Sequence, residues 1–554
     1  MIVELLLAAS VQAPAAAERV TVTVLATTDT HGHVLPYDYF TREKAARGLA
    51  AAATLVEAVR RETRNTLLVD CGDTIQGSPL VSEYEAERRE GRTSAAEPMM
   101  LAMNAMGYDA MVVGNHEYNF GLESLRAARA AARFPWLSAN TDTGGALAPF
   151  APYLVKTVAG VKVAVVGLTT PAIPQWEKAE TIRGLTWSDA ESALARALAA
   201  LAPEHPDVIL AAVHGGLGRD PETGAANPND LPGENPVWAL AERFPELAAV
   251  IYGHTHRREP GRRVGGVLLV QPRNWAMDVA RVDLVLEREP GGRFRLASAT
   301  SRLLPVTPDT EPDPGIVALV APYQQAAERA LDQPVTTSKV ELRGARGRFE
   351  DSALVDLIHE VQLHYAAADV SFASLFQTRV TVAPGPVTRR ELAALYIYDN
   401  ELYAVEGNGR MVREALENAT RYYLTCPEAS CSHGPLVDHG VPGFNFDTAQ
   451  GVEYEIDLRR PVGQRILNLR YHGAPLRDDQ PLRIAVNNYR AAGSAGYSAF
   501  RSAKVVWRSN REIRDLLAEY WSERKELLDK PDGNWRLLPP AAVETLVREE
   551  GGER

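Results

Sequence analysis

Short apolar runs alternate with Ala-rich stretches over residues 19–304 of this 554-residue chain. The runs are VTVTVLATTD, NTLLVDCGD, DAMVVGNHE, VKVAVVGLTT, DVILAAVHGG and AAVIYGHTH. Each is apolar over several consecutive residues, which is typical of parallel strands that are buried on both faces. The stretches between them, such as residues 45–61 and 122–133, have the apolar spacing of helices. The pattern predicts an α/β domain over residues 19–304.

A proline cluster marks the end of this region. Four prolines lie within residues 305–314, too many for a regular helix or strand. We therefore predict a linker with one helix over residues 305–334 and a second α/β domain over residues 335–528. Within that domain, Thr388 and Glu391 have the spacing of a capping box that begins a helix.

The two ends of the chain differ from these domains. Residues 529–554 are polar and are predicted to form a tail. Residues 1–18, MIVELLLAASVQAPAAAE, resemble a signal peptide, because a short apolar stretch precedes small residues suited to cleavage. Glu4 and the lack of Lys or Arg depart from that pattern and leave a disordered lead-in as the alternative. We predict an exported protein, periplasmic or extracellular.

The composition excludes several classes of protein. Hydrophobic residues make up 45% and charged residues 23%, as in a globular protein with large cores. No apolar run approaches the roughly 18 residues that a transmembrane helix needs. The chain has 59 Lys and Arg against 71 Asp and Glu, and its net charge of -12 argues against binding to a nucleic acid polymer.

Three cysteines are too few for a disulfide scaffold or a Cys-rich zinc cluster. Cys426 and Cys431 lie close together in a loop rich in Pro, Ser and His. In an oxidising compartment they could form a local disulfide, and two free thiols are the alternative. Cys71 lies in an apolar strand and is predicted to be a small buried residue.

Metal-binding side chains follow five of the six apolar runs. The carboxyl ends of parallel strands meet at one edge of a sheet, so these side chains are expected to lie together. Five of the twelve histidines fall in these turns, and a glycine lies beside nearly every candidate. The seven candidate metal ligands are Asp29, His31, Asp73, Asn115, His214, His254 and His256.

The candidate ligands are nitrogens and oxygens with no thiolate, which suits Mn, Zn, Fe or Co. Seven ligands are too many for one tetrahedral ion and suit two ions that share a bridging carboxylate. Two ions about 3.5–4 Å apart form a clamp for phosphoryl displacement. Each short motif alone is commonplace, and strand-end histidines with satisfied hydrogen bonds are the structural alternative. The order and placement of the whole set favour the dinuclear site.

The remaining histidines are predicted to be structural or solvent-exposed. They are His33, His205, His359, His364, His433, His439 and His472.

The motifs resemble those of the calcineurin-like metallophosphoesterases and, with the second domain, of the 5'-nucleotidase superfamily. They are Asp29-Thr-His31, Gly72-Asp73, Gly114-Asn-His-Glu117, His214-Gly215 and Gly253-His-Thr-His256. The resemblance implies a four-layer αββα sandwich, followed by a second α/β domain of the 5'-nucleotidase C-terminal type that binds nucleotides.

The resemblance also implies roles for single residues. One ion would be held by Asp29, His31, Asp73 and His256, and the other by Asp73, Asn115, His214 and His254, with Asp73 bridging. Asn115 would also bind the substrate. His116 would face the substrate phosphate, stabilising the transition state and protonating the leaving oxygen. Asn119 occupies the position that pairs with this histidine and is usually Asp in a 5'-nucleotidase.

Within the superfamily, further motifs resemble the bifunctional 2',3'-cyclic-nucleotide 2'-phosphodiesterase/3'-nucleotidases. These motifs are Pro36-Tyr-Asp-Tyr-Phe40, Ile75-Gln-Gly-Ser-Pro79, Phe444-Asn-Phe-Asp447, Asn487-Asn-Tyr-Arg490 and Asn534-Trp-Arg-Leu537. Phe444 and Tyr489 match the two aromatic residues that sandwich the nucleobase. A loop residue that is usually Asp in 5'-nucleotidases is Ala495 here.

We therefore predict an exported dinuclear-metal hydrolase that converts 2',3'-cyclic nucleotides to 3'-nucleotides and then to nucleoside and phosphate. A 5'-nucleotidase or a broad phosphomonoesterase on the same scaffold is the nearest alternative. A non-catalytic nucleotide-binding surface protein is the alternative from another class. The expected partners are small-molecule nucleotides, and the chain is expected to be a monomer.

Overall fold

The computed structural model describes residues 18–177, 179–226, 230–398, 400–427 and 431–549. The predicted signal peptide therefore lies almost wholly outside the described residues. The chain divides into two compact units, the first formed mainly by residues up to 323 and the second mainly by residues from 324 onward.

The first unit contains two six-stranded sheets with helices between the strands along the chain. Its strands are β1 (Arg19–Thr27), β2 (Thr66–Asp70), β3 (Ala110–Val112), β4 (Trp136–Leu137), β5 (Thr141–Asp142), β6 (Tyr153–Val158), β7 (Val161–Thr169), β8 (Thr186–Trp187), β9 (Val208–His214), β10 (Ala249–Tyr252), β11 (Glu259–Val264), β12 (Val267–Gln271), β13 (Asp278–Arg288) and β14 (Phe294–Pro305). Its helices are α1 (Leu49–Glu62), α2 (Pro79–Arg89), α3 (Pro98–Met106), α4 (Gly121–Ala131), α5 (Ala190–Leu201) and α6 (Val237–Arg243), and α7 (Pro314–Leu331) contains the division between the units.

The strand order is β14-β13-β1-β2-β3-β4 in one sheet and β11-β12-β10-β9-β7-β6 in the other. Strands β1 to β4 are parallel in the first sheet, and β7, β9, β10 and β12 are parallel in the second. Side chains from both sheets, such as Val24 and Val165, share one buried apolar cluster. On the second sheet, Val166 faces the opposite way and packs with Leu194 and Leu240 of α5 and α6.

Helix α1 lies on the other side of the first sheet, against β13 and α3. The order is therefore helix, sheet, sheet, helix, and the predicted four-layer αββα sandwich is confirmed. Strands buried on both faces have no solvent side, which explains why the runs do not alternate between apolar and polar residues.

The second unit is also α/β. Its strands are β15 (Pro334–Ser338), β16 (Leu342–Arg343), β17 (Val370–Ser374), β18 (Thr381–Val382), β19 (Gly385–Thr388), β20 (Glu401–Asn408), β21 (Asp447–Gln450), β22 (Glu453–Asp457), β23 (Ile466–Tyr471), β24 (Ala474–Pro475), β25 (Pro481–Asn487), β26 (Val505–Glu512) and β27 (Trp535–Leu538). Its helices are α8 (Ala353–Ala366), α9 (Arg389–Ala394), α10 (Gly409–Ala419), α11 (Asn488–Ala491), α12 (Ser498–Arg501), α13 (Ile513–Ser522) and α14 (Pro540–Glu549).

A five-stranded sheet in the order β21-β17-β25-β20-β26 is the centre of this unit. Helices α8 and α13 share a core cluster with one set of its side chains, and α10 shares another cluster with a second set. Thr388 accepts a hydrogen bond from the backbone N–H of Glu391 and caps α9, so the predicted capping box is confirmed.

Residues 529–554, predicted to be a polar tail, contain a strand and a helix. Strand β27 pairs in parallel with β22, and its residues Trp535 and Leu537 are buried in the core of the second unit. Ala542 and Leu546 of α14 enter the same core. The strand has only four residues. An alternation of apolar and polar positions over so short a segment does not identify a strand within a polar sequence.

Cys426 and Cys431 form a disulfide with an S–S distance of 2.06 Å. The structure thus decides between the two alternatives left open by the sequence, and a disulfide suits an oxidising compartment. Cys71 is a free thiol and is buried, as predicted. Among the described helices, none combines the length and the apolar character that crossing a bilayer requires.

Candidate metal centre

The structure brings all seven predicted metal ligands together at the carboxyl ends of parallel strands. Asp29 follows β1, Asp73 follows β2 and Asn115 follows β3 in the first sheet. His214 is the last residue of β9, and His254 follows β10, in the second sheet. The two facing sheets therefore each contribute ligands to one site, and the remaining two, His31 and His256, lie on the same turns.

One group of donors is formed by Asp29, His31 and His256. Their ligand atoms lie within 4.8 Å of one another. The Nε2 atoms of His31 and His256 are 3.1 Å apart, and His256 Nε2 is 3.6 Å from Asp29 Oδ1.

A second group is formed by Asp73, Asn115, His214 and His254. His214 Nε2 lies 3.0 Å from Asp73 Oδ2 and 2.9 Å from Asn115 Oδ1. His254 Nδ1 lies 3.0 Å from the same Asn115 oxygen. Asp73 also lies within 4.8 Å of His31, so its carboxylate is common to both groups.

Hydrogen bonds on the far side of three histidines determine which ring nitrogen faces these groups. His31 Nδ1 lies 3.1 Å from the Gln76 carbonyl, and His214 Nδ1 lies 2.8 Å from the Cys71 carbonyl. A carbonyl oxygen only accepts, so Nδ1 carries a hydrogen in both rings, and Nε2 is the nitrogen that faces the site and can bind a cation when it is unprotonated. His254 has the reverse arrangement, with Nε2 3.2 Å from the Glu234 carboxylate and Nδ1 facing the site.

This pattern is the one by which neighbouring groups orient metal-binding histidines. The sequence did not indicate Glu234, because it lies 20 positions from His254 on another loop. The ring nitrogens that face the site, two carboxylates and one amide oxygen form a donor set that fits divalent cations of borderline hardness.

Five of the seven candidate ligands have left-handed backbone conformations. Their φ angles are 49° at Asp29, 45° at His31, 59° at Asp73, 72° at His254 and 53° at His256. Non-glycine residues rarely adopt this conformation, and where they do the surrounding structure must hold them there. The turns therefore hold the ligands themselves in a strained conformation, and Gly32 and Gly72 beside them are left-handed as well.

Two of the neighbouring glycines are required by close approach. A Cβ atom on Gly114 would overlap the carboxylate of Asp73, and one on Gly253 would lie 2.5 Å from Asp29 Oδ2. Side chains at these two positions would displace the carboxylates from the site.

Glu117 anchors the loops that hold Asp73 and Asn115. It is fully buried, and its Oε2 accepts hydrogen bonds from the backbone N–H groups of Asp73 at 2.9 Å and Gly114 at 2.6 Å. Its Oε1 accepts from the N–H of Thr74 at 2.6 Å. Burial, with the nearby charge of Asp73, raises the pKa of Glu117. The sequence placed this residue in a motif but gave it no role.

The charges of the site act strongly on one another. Burial lowers the pKa of His31 well below its usual value, and His116 and His256 lower it further. Burial alone would also lower the pKa of His214, but the carboxylate of Asp73 outweighs it and raises the pKa to about 10. A concentrated negative potential at Asp73 is therefore the main electrostatic feature, as expected where cations bind.

His116 lies beside the donors and is buried. Its backbone N–H donates to Asp73 Oδ1 at 2.8 Å, and its Nε2 is 4.0 Å from Asp73 Oδ2. Its Nδ1 is 2.6 Å from Asn119 Oδ1, so the predicted pairing of these side chains is present. The amide nitrogen of Asn119 in turn donates to Glu177, which the sequence analysis did not identify.

In the second unit, Phe444 and Tyr489 are exposed by 37% and 45%, unusual values for large aromatic residues. The buried side chain of Arg490 connects their segments. Its Nη2 donates to the Phe444 carbonyl at 2.8 Å, its Nε donates to Asp447 at 2.7 Å, and its guanidinium lies 5.5 Å from the Tyr489 ring centre. A third exposed ring, Tyr398, lies 6.2 Å from Phe444.

The two units correspond to two known families. Residues 22–258 match the calcineurin-like phosphoesterase family, and residues 334–502 match the C-terminal domain of the 5'-nucleotidases.

Similar proteins include two curated bacterial relatives. The trifunctional nucleotide phosphoesterase of Bacillus subtilis is 27% identical over 95% of this chain, which spans only 39% of that protein. The 2',3'-cyclic-nucleotide 2'-phosphodiesterase/3'-nucleotidase of Haemophilus influenzae is 28% identical over 93% of this chain and 87% of its own length.

Among solved structures, one from Staphylococcus aureus assigned as a 5'-nucleotidase is similar over 94% of this chain and 100% of that chain. It has a TM-score of 0.64 and 27% identity.

Replacement of Asp73 tests the shared carboxylate. We expect the chain to bind about two divalent ions and the Asp73→Asn variant to lose both, because a neutral amide neither bridges cations nor offsets their charge. Asparagine tolerates the left-handed backbone, so the turn is preserved. Metal content is measured by elemental mass spectrometry after loading with Mn²⁺ and desalting. His205→Asn, at an exposed left-handed position, is the control, and full metal content in Asp73→Asn would contradict the assignment.

Replacement of Glu117 tests the anchor of the ligand loops. Glu117→Gln puts an amide N–H₂ against backbone N–H donors, so we expect metal affinity to fall by about 10- to 100-fold. Affinity is measured by calorimetric titration with Mn²⁺. Glu123→Gln, whose side chain is 83% exposed on α4, is the matched control. Equal affinities in the two variants would show that Glu117 does not support the site.

Proposed function

We propose that this chain hydrolyses 2',3'-cyclic nucleotides and 3'-nucleotides. It belongs to the metal-dependent phosphoesterases that join a calcineurin-like domain to a 5'-nucleotidase C-terminal domain. The convergence of nitrogen and oxygen donors on the carboxylate of Asp73 carries the proposal. One ion would be held by Asp29, His31, Asp73 and His256, and the other by Asp73, Asn115, His214 and His254.

Divalent ions bound there would neutralise phosphate charge and lower the pKa of water. The residues of the chain hold and orient the reacting groups. Asn119 accepts from Nδ1 of His116, so the Nε2 atom is directed towards Asp73 and the donor groups. From this position His116 can stabilise a phosphoryl oxygen or protonate the leaving oxygen.

The first reaction adds the oxygen of water to phosphorus and breaks the bond to the 2' oxygen, which takes a proton. The product is a 3'-nucleotide with a free 2' hydroxyl. The second reaction adds another water, breaks the bond to the 3' oxygen and releases nucleoside and inorganic phosphate. Both leaving groups are sugar alkoxides, which need a proton, and this is the role proposed for His116.

Two observations support nucleotides as the substrate: the exposed aromatic rings of the second unit and the similarity of the chain to a nucleotide-hydrolysing relative. Phe444 and Tyr489 are proposed to stack on the nucleobase, since each ring is exposed and the polar contacts of Arg490 hold their backbones in place. Stacking tolerates any base, so broad base use is expected. The relative from Haemophilus influenzae, which matches along most of its length, carries the same activity in its name.

A 5'-nucleotidase is the second candidate. The similar structure from Staphylococcus aureus favours it. Asn119 and Ala495, which stand where 5'-nucleotidases usually have Asp, favour the cyclic and 3' substrates instead.

Export to the periplasm or the cell exterior is part of the proposal. The disulfide between Cys426 and Cys431 supports it, because such bonds persist in oxidising compartments.

A comparison of three substrates tests the activity. With Mn²⁺ we expect phosphate release from 3'-AMP, and from 2',3'-cyclic AMP by way of 3'-AMP, with little from 5'-AMP. The His116→Ala variant should lower kcat by about 10²- to 10⁴-fold, because it removes a proton donor. Phosphate release and nucleotide chromatography provide the measurement, and dominant hydrolysis of 5'-AMP would instead identify a 5'-nucleotidase.

Removal of the exposed rings tests base stacking. Phe444→Ala and Tyr489→Ala should each weaken nucleotide binding by about 1–3 kcal/mol, a rise in KM of roughly 5- to 150-fold. Hydrolysis of p-nitrophenyl phosphate, which has no base, should not change. Tyr471→Ala removes an aromatic ring from β23 in another sheet and is the control. A fall in activity on both substrates would indicate damage to the fold rather than loss of stacking.

A further inference from the structure

A chain of hydrogen bonds continues behind His116. His116 Nδ1 lies 2.6 Å from Asn119 Oδ1, and Asn119 Nδ2 donates to Glu177 Oε1. Glu177 lies 58 positions from Asn119, just after the short helical turn Ile173–Gln175 that follows β7. We propose that Glu177 is a positioning residue that fixes the amide of Asn119 and thereby the tautomer of His116.

The amide of Asn119 can face His116 with either its oxygen or its nitrogen. Its oxygen and nitrogen have nearly the same shape but opposite hydrogen-bonding roles, so the group can turn over unless a partner selects one end. The carboxylate of Glu177 only accepts, so it selects the nitrogen. The oxygen of Asn119 must then face His116.

The orientation of the Asn119 amide determines which nitrogen of His116 carries the hydrogen. An amide oxygen at 2.6 Å from Nδ1 requires the hydrogen on that nitrogen. The Nε2 atom is then the one that gives or takes a proton. If the amide turned over, its N–H₂ would face Nδ1, the neutral ring would carry its hydrogen on Nε2, and the protonated ring would be repelled.

The same segment contacts the site at a second place. The ring of Trp176 lies 5.4 Å from the ring of His254, while Glu177 reaches Asn119. Strand β7 is the one apolar run that the sequence analysis found without ligands at its end. Its following segment supplies supporting residues instead.

Glu177 also supplies a negative charge. Where a 5'-nucleotidase places a carboxylate directly on this histidine, the present chain has the neutral Asn119. The carboxylate lies one hydrogen bond further away and polarises the amide towards His116. Glu177 thus supplies, from another segment of the chain, the carboxylate that is absent at position 119.

Exchange of the charges tests the proposal. Asn119→Asp alone places two carboxylates together, and we expect kcat to fall by at least about tenfold. The double variant Asn119→Asp with Glu177→Gln lets the glutamine donate to the new aspartate, which again accepts from His116. We expect kcat to recover to within about threefold of wild type. A double variant no better than Asn119→Asp would overturn the proposal.

A comparison of leaving groups separates positioning from general damage. The proposal rests on the proposed function only in that His116 protonates the leaving oxygen. Glu177→Ala should lower kcat on a nucleoside monophosphate, whose alkoxide needs a proton, by about tenfold or more. On p-nitrophenyl phosphate, whose leaving group needs none, the loss should stay below about threefold. Equal losses on both substrates would overturn the proposal.

The nucleoside monophosphate is whichever of 3'-AMP and 5'-AMP the wild type hydrolyses. The substrate assignment can therefore fail without affecting this test. Glu180→Gln, an exposed carboxylate on the same segment, is the matched control and should behave as wild type.

The tautomer of His116 can be measured directly, without an activity assay. In metal-free protein labelled with ¹⁵N-histidine, the His116 signals are identified by their loss in His116→Gln. Wild type and the double variant should show a hydrogen on Nδ1, whereas Glu177→Ala should show both tautomers. A bare Nδ1 in wild type, or an unchanged tautomer in Glu177→Ala, would overturn the proposal.

Discussion

The buried carboxylate of Asp73 is the constraint on which the rest of the site depends. A charge removed from water is costly unless nearby donors and opposite charges compensate it. Asp73 is 1% exposed and receives the N–H of His116 and the imidazole of His214. Glycine beside it, the anchor at Glu117 and the left-handed turns all serve to keep this group in place. Divalent cations bound at the site would compensate this charge in place of the protonated imidazole of His214.

Much of the site could be predicted because its ligands lie in short local motifs at strand ends. A strand buried on both faces is visible as an uninterrupted apolar run, and the turn that follows it is fixed in sequence. The pair at His254 and His256 and the motif around His116 are examples. The capping box at Thr388 is equally local, because all of its atoms lie within one turn of helix.

The supporting residues could not be predicted in the same way. Glu234, Glu177 and Arg490 act on side chains or carbonyls that lie 20, 58 and 46 positions away. Single acidic or basic residues in loops are common, and only the folded chain shows which of them contact the site. The strand at Trp535 was missed for a different reason, since four residues are too few to establish a period of two.

The left-handed turns also limit the chemistry that the site can acquire. Among side chains that can bind a metal, Asp, Asn and His are the ones enriched in this conformation, whereas β-branched and bulky residues are strained by it. The backbone at Asp29, Asp73, His254 and His256 therefore favours the residue types that supply oxygen or imidazole donors. Replacement of one of these ligands by a β-branched or bulky residue would strain the turn as well as remove a donor. The conformation of the turns thus restricts the residue types that can stand at these positions, independently of what the site binds.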